Sequence, residues 1–131
     1  EIVGSASNKF KQETIIADLF INDFEEGPLF MEIKSPLPNI DVCAESKRKM
    51  LIFKIMFKDR NPQAYLALPY NPHVTRKQYL EKHGSIVMRI IDVEKELLIG
   101  EEMWNKIGGS NTFNELLEVL EEARRRLRGG F

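Results

Sequence analysis

The spacing of apolar and polar positions predicts that a β-hairpin opens the main structured region of the chain. Two segments, 15–21 and 29–33, are rich in β-branched and aromatic residues, and a Gly-containing turn at 24–27 lies between them. Short apolar segments on either side of such a turn are typical of paired antiparallel strands. In a strand, side chains two residues apart point to one face, so Glu32 and Lys34 should lie side by side.

The middle of the chain predicts a strand, a helix and a second strand. Pro36 and Pro38 end the first of these strands, because proline cannot donate to the interior of a ladder. Asp41 is the expected N-cap of a helix that runs to about Lys58. The apolar run 64–68 has the composition of a strand buried on both faces. A connection of this kind makes the two strands parallel, with a right-handed crossover.

The rest of the chain, from residue 75 onward, predicts three helices and one strand, with capping boxes at two helix starts. Thr75 with Gln78, and Thr112 with Glu115, have the spacing at which two side chains satisfy exposed N–H groups of the first turn. Together, all the segments predict an α/β fold in which a mixed β-sheet is flanked by helices. The predicted elements of this region are a helix over 75–84, a strand over 85–93, a short helix over 101–108 and a last helix over 112–128.

Length and composition narrow the class of protein. A chain of 131 residues is long enough for one hydrophobic core and too short for two, so we expect a single domain over 1–131. Because the chain opens at Glu1 rather than Met, we expect it to be the C-terminal part of a longer protein. No apolar run in the sequence reaches the ~20 residues that span a bilayer. The single Cys43 excludes a disulfide framework and favours a reducing, cytoplasmic location.

The net charge of −1 argues neither for nor against a nucleic acid partner, so the distribution of charge is more informative. One basic stretch runs from Lys47 to Arg60, and four arginines lie between 124 and 128. The triplet Lys47-Arg48-Lys49 is either the solvated face of a helix or a set of phosphate contacts. The arginine cluster complements the dipole at a helix C-terminus, and we assign it no DNA role. The two histidines should be structural or exposed.

Asp18, Glu32 and Lys34 form the strongest candidate site in the sequence. Glu32 and Lys34 share a strand face, and Asp18 on the partner strand can reach the same end of it. Two carboxylates and an ammonium at a sheet edge can hold a divalent cation and a water beside a phosphodiester, which indicates a nuclease. The alternative is a surface carboxylate beside a solvated edge strand, with a cross-strand ion pair that contributes little.

The same residues resemble a known signature. Asp18, then thirteen residues, then Glu32-Ile33-Lys34 is similar to the PD-(D/E)xK nuclease motif, with Ala17 where that superfamily often has proline. Three further segments resemble, in this order, the TdeIII-type restriction endonucleases, and the likeness runs from about Lys9 to Glu122. They are E-I-K-S-P-L-P-N, A-L-P-Y-N-P and L-L-I-G-E-E-M-W-N-K-I-G-G-S-N-T-F-N-E-L-L. The resemblance implies that the α/β fold is a PD-(D/E)xK nuclease-like core.

The resemblance implies a Mg²⁺-dependent type II restriction endonuclease that cuts double-stranded DNA at a specific short sequence and acts as a homodimer. It implies Asp18, Glu32 and Lys34 as catalytic residues. Asp18, Glu32 and the Ile33 carbonyl would be metal ligands. Lys34 would either stabilise the transition state or orient the nucleophile. Because like charges repel in a metal-free site, we expect that removing either carboxylate costs little stability.

Two questions stay open at the level of sequence. Some PD-(D/E)xK nucleases recruit a further acidic residue from an upstream helix, and Glu1 and Glu13 are the upstream candidates here. The alternatives to a restriction enzyme are a catalytically silent DNA-binding or assembly module on the same fold, or a DNA repair or resolvase-type nuclease. The intact acidic and basic set favours activity. The residues expected to contact DNA are Lys47, Arg48, Lys49, Asn39 and Asn71.

Overall fold

A four-stranded mixed sheet forms the centre of the protein. The computed structural model describes residues 2–4 and 13–129. The strand order is β3-β4-β5-β6, with β3 antiparallel to β4 and with both β5 and β6 parallel to their neighbours. This arrangement confirms the predicted α/β fold with a mixed sheet and flanking helices. The strands are β3 (Leu19–Ile21), β4 (Leu29–Ile33), β5 (Gln63–Leu68) and β6 (Leu97–Ile99).

The predicted hairpin is present, but its first strand is shorter than predicted. The segment 15–21 is divided between two sheets, because β2 (Glu13–Ile15) pairs with β1 (Ile2–Gly4) and not with the main sheet. The chain then turns before β3 begins. The hairpin loop is compact because the backbone of Gly27 packs against the backbone of Asn61. A residue with a side chain would not fit at position 27, since its Cβ would lie 2.0 Å from the Asn61 carbonyl oxygen. Gly27 also has a φ of +133°, which side chains disfavour.

The first helix, α1 (Ile40–Met56), lies between β4 and β5 in sequence and packs on the sheet. Its N-cap is Asn39, whose side-chain oxygen accepts a hydrogen bond from the Val42 N–H at 2.8 Å. The prediction of Asp41 as the N-cap was therefore wrong by two residues. Asp41 lies in the first turn, where a negative charge complements the helix dipole.

The predicted strand over 85–93 was wrong. The helix α2 (Arg76–Val87) starts at the predicted capping box but continues past Gly84. Gly84 is buried within the helix, where a Cβ would lie 3.0 Å from the Met88 sulfur and 3.4 Å from Leu80. Its small size therefore serves packing and does not end the helix. A turn, the short α3 (Val93–Glu96) and the unpredicted β6 follow.

Two helices complete the described chain. The helix α4 (Glu101–Gly108) ends where predicted, at Gly109, which has a positive φ of 105°. The helix α5 (Thr112–Arg128) has Asn111 as its N-cap and shows no side-chain capping bond there, so the second predicted capping box was wrong. The side chain of Thr112 packs instead against Gly108. None of the described helices is both long and apolar enough to cross a membrane.

The alternation of β4 divides the hydrophobic core between the two faces of the sheet. Leu29 and Met31 belong to the cluster on one face, together with Met103 of α4. Phe30 belongs to the larger cluster on the other face, where its ring stacks on Phe53 of α1 at 5.1 Å between centroids. By this period of two, Glu32 continues the Phe30 face, beneath α1. The fold therefore carries a carboxylate to the carboxyl end of an interior strand.

Candidate active site

Glu32 is the centre of the candidate site. It follows three buried apolar residues of β4, and its side chain is 1% exposed. Its Oε2 lies 3.5 Å from Lys34 Nζ, the next residue on the same face of the strand. A buried carboxylate must be paired or hydrogen-bonded to be tolerated, and this pair supplies one partner. The sheet thus positions Glu32 and Lys34 as the sequence predicts.

Asp18 joins the site from the neighbouring strand. It lies one step beyond the Leu19–Met31 pair, directly across from Glu32. Asp18 Oδ2 accepts a hydrogen bond from the Ile33 N–H at 2.8 Å and lies 3.9 Å from Lys34 Nζ. The carboxylate therefore takes the place of the backbone acceptor that a longer β3 would have supplied. The structure brings Asp18, Glu32 and Lys34 together.

Lys49 completes the charge balance around Glu32. Its Nζ donates to Glu32 Oε1 at 2.7 Å, and the side chain is mostly buried. The sequence analysis placed Lys49 among the DNA contacts and did not predict a pair with Glu32. The spacing along the chain indicates only the helix face on which Lys49 lies, and not its partner. Asn39, Val42, Ser46 and Lys49 are three or four residues apart, so they line one face of α1.

A cavity of about 290 Å³ opens beside these residues. Ser46 reaches it from α1, and its buried hydroxyl oxygen has no hydrogen-bond partner within the described protein. Leaving a hydroxyl without a partner costs roughly 1–3 kcal/mol. The lining consists of Glu32, Lys34, Asn39, Asp41, Val42, Glu45, Ser46 and Lys49.

The existing pairing of Glu32 changes one expectation. We expected repulsion between the carboxylates of the metal-free site, so that removing either would cost little stability. The structure shows instead that two ammonium groups compensate Glu32. Removing one partner of a buried ion pair leaves uncompensated charge and is destabilising. For Glu32 the structure therefore favours the opposite prediction, a loss of stability, while exposed Asp18 has solvent to compensate it.

Three of the five residues expected to contact DNA, Lys47, Arg48 and Asn71, do not line the cavity. Lys47 donates to both carboxylate oxygens of Glu96, at 2.6 and 2.5 Å. Arg48 donates hydrogen bonds of 3.0 and 2.8 Å to the carboxylate of Glu45. This hydrogen bonding holds the pKa of Glu45 below its ordinary value. Of the five, Asn39 and Lys49 line the cavity.

Asn71 lies at a different place. Its side-chain oxygen accepts a hydrogen bond from the His73 N–H at 2.8 Å, and both residues line a separate cavity of about 330 Å³. The ring of His73 contacts that of His83, with 2.9 Å between the two Nε2 atoms. The pair ties the loop after β5 to α2, which agrees with the structural role expected for the histidines.

Glu96 forms a second buried carboxylate cluster on the other side of α1. It is 5% exposed and lies near Lys47, Lys54 and the Asp92 N–H, which donates to its Oε2 at 3.0 Å. Burial alone would raise the pKa of Glu96, but the hydrogen bonds from Lys47 and Asp92 and the lysine charges hold that pKa below its ordinary value.

The residues around Glu32 fit a magnesium ion better than a zinc ion. Among the described residues, no group of three or more His, Cys, Asp or Glu side chains is arranged to hold a metal. Catalytic zinc uses three protein ligands, whereas magnesium is commonly held by one or two carboxylates and several waters. Asp18 and Glu32, with the Ile33 carbonyl, would meet the second requirement. Glu1 and the side chain of Glu13, the upstream acidic candidates, lie outside what the structure describes.

Comparisons with known proteins identify relatives of the chain. The sequence model of the family "Type II restriction endonuclease, HinfI" matches residues 2–124. The chain is 36% identical over 124 residues to the type II restriction enzyme HgiCII of Herpetosiphon aurantiacus, covering 92% of this chain and 43% of that enzyme. It is 37% identical over 109 residues to HgiBI of the same organism, covering 81% and 39%. The chain thus spans about two fifths of the length of these relatives. No solved structure matches.

Proposed function

Because the chain belongs to the HinfI family of type II restriction endonucleases, we propose that it carries the catalytic centre of a Mg²⁺-dependent enzyme that hydrolyses double-stranded DNA at a specific short sequence. One observation carries the proposal. Asp18, Glu32 and Lys34 converge beside a cavity at the carboxyl end of β4. Open α/β sheets bind ligands at that end of their strands. We refer to these three residues with Lys49 as the Glu32 site.

Asp18, Glu32 and the carbonyl of Ile33 would hold the metal ion. When bound, the ion supplies Lewis-acid chemistry, orients a water and lowers the pKa of that water. The hydrogen bond from the Ile33 N–H fixes one oxygen of Asp18, and the other oxygen is left for the ion. Burial of Glu32 holds its carboxylate in a single orientation, which reduces the reorganisation needed when the charge of the reaction develops.

Lys34 and Lys49 supply the positive charge of the Glu32 site. Phosphodiester cleavage builds negative charge on the non-bridging and leaving oxygens, and a fixed ammonium stabilises charge that develops in the transition state. Lys34 lies within 4 Å of both carboxylates, so it can meet a phosphate held between them. We assign it that electrostatic role, with orientation of the attacking water as the alternative. Lys49 neutralises buried Glu32 before DNA arrives.

For DNA binding, we assign Lys49 and Asn39 to contacts within the cavity, since both line it. Arg48 would contact the backbone beside it. Lys47 lies on the Glu96 side of α1, and Asn71 lines a separate cavity, so these two are the less favoured contacts. We further propose a homodimer, because two copies of one site can cut both strands of a symmetric sequence. We place the enzyme in the cytoplasm, where the free thiol of Cys43 stays reduced.

The test is digestion of plasmid DNA with and without Mg²⁺. Discrete fragments with Mg²⁺, absent when the metal is chelated, are the expected result. A smear would indicate a nuclease without sequence specificity, as a repair enzyme or resolvase-type enzyme can be. Binding of the plasmid without any cleavage would support the silent DNA-binding module and would contradict the proposal.

A further inference from the structure

A cavity of about 280 Å³ lies between α2 and the loop that follows β4, next to the Glu32 site. Asn39 belongs to the lining of this cavity and also to the lining of the cavity beside Glu32, so the two cavities adjoin. We call it the α2 cavity. Its lining includes Leu37, Asn39, Tyr79, Lys82, Ser85 and Ile86.

A buried hydrogen bond fixes α2 against the loop after β4. The hydroxyl of Tyr79 donates to the carbonyl oxygen of Pro36 at 2.5 Å, and Pro36 is two residues beyond Lys34. Burial raises the pKa of Tyr79 to about 12, so the hydroxyl keeps its proton and remains a donor. Lys82 is three residues after Tyr79 on the helix, and residues with that spacing are neighbours on one face. The structure therefore holds Lys82 near the end of the strand that carries Lys34.

Lys82 brings a positive charge to the α2 cavity, and no carboxylate in the lining opposes it. The cavities beside Glu32 and beside Asn71 both have carboxylates in their linings, whereas the α2 cavity has none. Within the part of the chain that the structure describes, the ammonium of Lys82 has no hydrogen-bond or ion-pair partner. Lys47 and Lys49, by contrast, each donate to a buried glutamate. The α2 cavity is therefore suited to an anion.

The rest of the lining suits one nucleotide of a DNA strand. Asn39 Oδ1 accepts the Val42 N–H, which leaves the NH₂ group of the same amide as a donor. The hydroxyl of Ser85 is another donor, and lysine, asparagine and serine are among the side chains that contact DNA phosphates. Leu37 and Ile86 are 62% and 41% exposed, so apolar surface lies beside these donors. A nucleotide has the same division between an anionic phosphate and a less polar sugar and base.

We infer that the α2 cavity binds a DNA phosphate that neighbours the scissile one on the same strand, with Lys82 as its main contact. The inference rests on the proposed function for the DNA and adds a positioning residue on α2. Because the two cavities share Asn39, successive nucleotides of one strand can occupy them. A contact of this kind holds the scissile phosphate at the Glu32 site and reads no base sequence.

The test is the affinity for a short fluorescein-labelled DNA duplex of arbitrary sequence, measured by fluorescence anisotropy over a range of salt concentrations. The measurement uses Asp18→Asn as the parent protein, without metal, so that the duplex stays intact. Lys82→Ala should flatten the slope of log K against log salt by about 0.9, the value for one phosphate contact. The ratio of its Kd to that of the parent should then fall about 3.5-fold between about 50 and about 200 mM salt. A duplex of unrelated sequence should give the same change, because a phosphate contact reads no bases.

Three further variants make the test specific. Lys77→Ala is the matched control, because Lys77 is an exposed lysine of the same helix that lies roughly 140° around the axis from Lys82. It removes the same charge and should leave the slope unchanged. Lys82→Arg should keep the parent slope, since arginine also binds phosphate. Lys49→Ala with Lys82→Ala should flatten the slope by about 1.8, because the two lysines would contact different phosphates. Circular dichroism verifies that α2 stays helical in each variant.

The outcomes separate this inference from the proposed function. An unchanged slope for Lys82→Ala, or an equal change for Lys77→Ala, overturns the phosphate contact even if the wild type cuts plasmid DNA. A flatter slope for Lys82→Ala alone, in a protein whose wild type cuts no DNA, supports the contact and contradicts the nuclease proposal. A protein that binds neither duplex at any salt concentration contradicts both.

Discussion

Two buried glutamates in this protein have nearly the same immediate partners and different surroundings. Glu32 is 1% exposed and contacts Lys49 and Lys34, at 2.7 and 3.5 Å. Glu96 is 5% exposed and contacts Lys47 and Lys54, at 2.5 and 3.4 Å. In each case α1 supplies the closer lysine. A buried carboxylate with two lysines is therefore not in itself a sign of catalysis.

The surroundings of the two glutamates separate a candidate active site from a structural ion pair. Glu32 has a second carboxylate nearby, Asp18, and borders a cavity that Ser46 also lines. Glu96 has its oxygens occupied by Lys47 and by the Asp92 N–H, which ties α3 to α1. A catalytic carboxylate must border space that a ligand can enter, as Glu32 does, whereas a structural carboxylate is best fully satisfied by the protein.

The largest effect should come from Asp18→Asn, which removes one charge from the Glu32 site. The amide oxygen can still accept the Ile33 N–H, so the fold and its stability should change little. Without the carboxylate we expect the cleavage rate to fall by at least about 100-fold, as for loss of a group that stabilises the transition state. Asp41→Asn is the control, because Asp41 lines the same cavity and is assigned no catalytic role. Equal losses in both variants would contradict the special role of Asp18.

The Glu96 cluster should respond in stability and not in rate. Glu96→Gln leaves Lys47 and Lys54 without their carboxylate, so we expect the free energy of unfolding to fall by about 1–3 kcal/mol. This is less than the cost of breaking a fully buried ion pair, because both lysines are partly exposed to solvent. Urea unfolding measures this change. An unchanged unfolding midpoint would mean that solvent already compensates the two lysines.

The pH dependence of stability should sharpen the same comparison. The folded pKa of Glu96 lies below its ordinary value of 4.5, because the Lys47 and Asp92 hydrogen bonds outweigh burial. Its stabilising contribution is therefore complete above about pH 4.5 and is lost as the pH falls through the folded pKa. The stability difference between wild type and Glu96→Gln should be constant near neutral pH and shrink below pH 4.5. A difference that persists at lower pH would contradict the assigned ionisation.

The smallest effect should be seen in the salt dependence of DNA binding. Each lost phosphate contact flattens the slope of log K against log salt by about 0.9. We expect this change for Lys49→Ala, since Lys49 lines the cavity, and no change for Lys47→Ala, since Lys47 lies beside Glu96 and does not line that cavity. The measurement uses the Asp18→Asn background so that the DNA stays intact. A flatter slope for Lys47→Ala alone would place the duplex on the opposite side of α1.

The sequence predicted the local geometry of the site because that geometry follows from one strand and one register. Glu32 and Lys34 share a face by the period of a strand, and the hairpin brings Asp18 opposite. The pair of Glu32 with Lys49 depends on how α1 lies across the sheet, which no spacing along the chain determines. The separation of Lys47 from Lys49, two residues apart on a helix, follows from the same packing.

The fold, too, was predicted where it depends on local contacts and was wrong where it depends on packing between distant segments. Capping chemistry at Thr75 predicted a helix start correctly, since the contacts involved are local. Gly84 was read as a helix end because glycine commonly follows a helix, but its backbone is helical and its lack of a side chain serves packing. That error turned the end of α2 into a strand and hid β6, a three-residue strand defined by its pairing with β5.

The most direct test of the account compares Glu32→Gln with Glu96→Gln in single-turnover cleavage of a plasmid with Mg²⁺, with each rate normalised to the folded fraction. The two changes remove the same charge from equally buried positions beside α1. The account predicts that Glu32→Gln loses at least about 100-fold in rate, while Glu96→Gln cuts at the wild-type rate per folded molecule. Wild-type cleavage by Glu32→Gln, or equal losses in the two variants, would contradict the assignment of the Glu32 site as the catalytic centre.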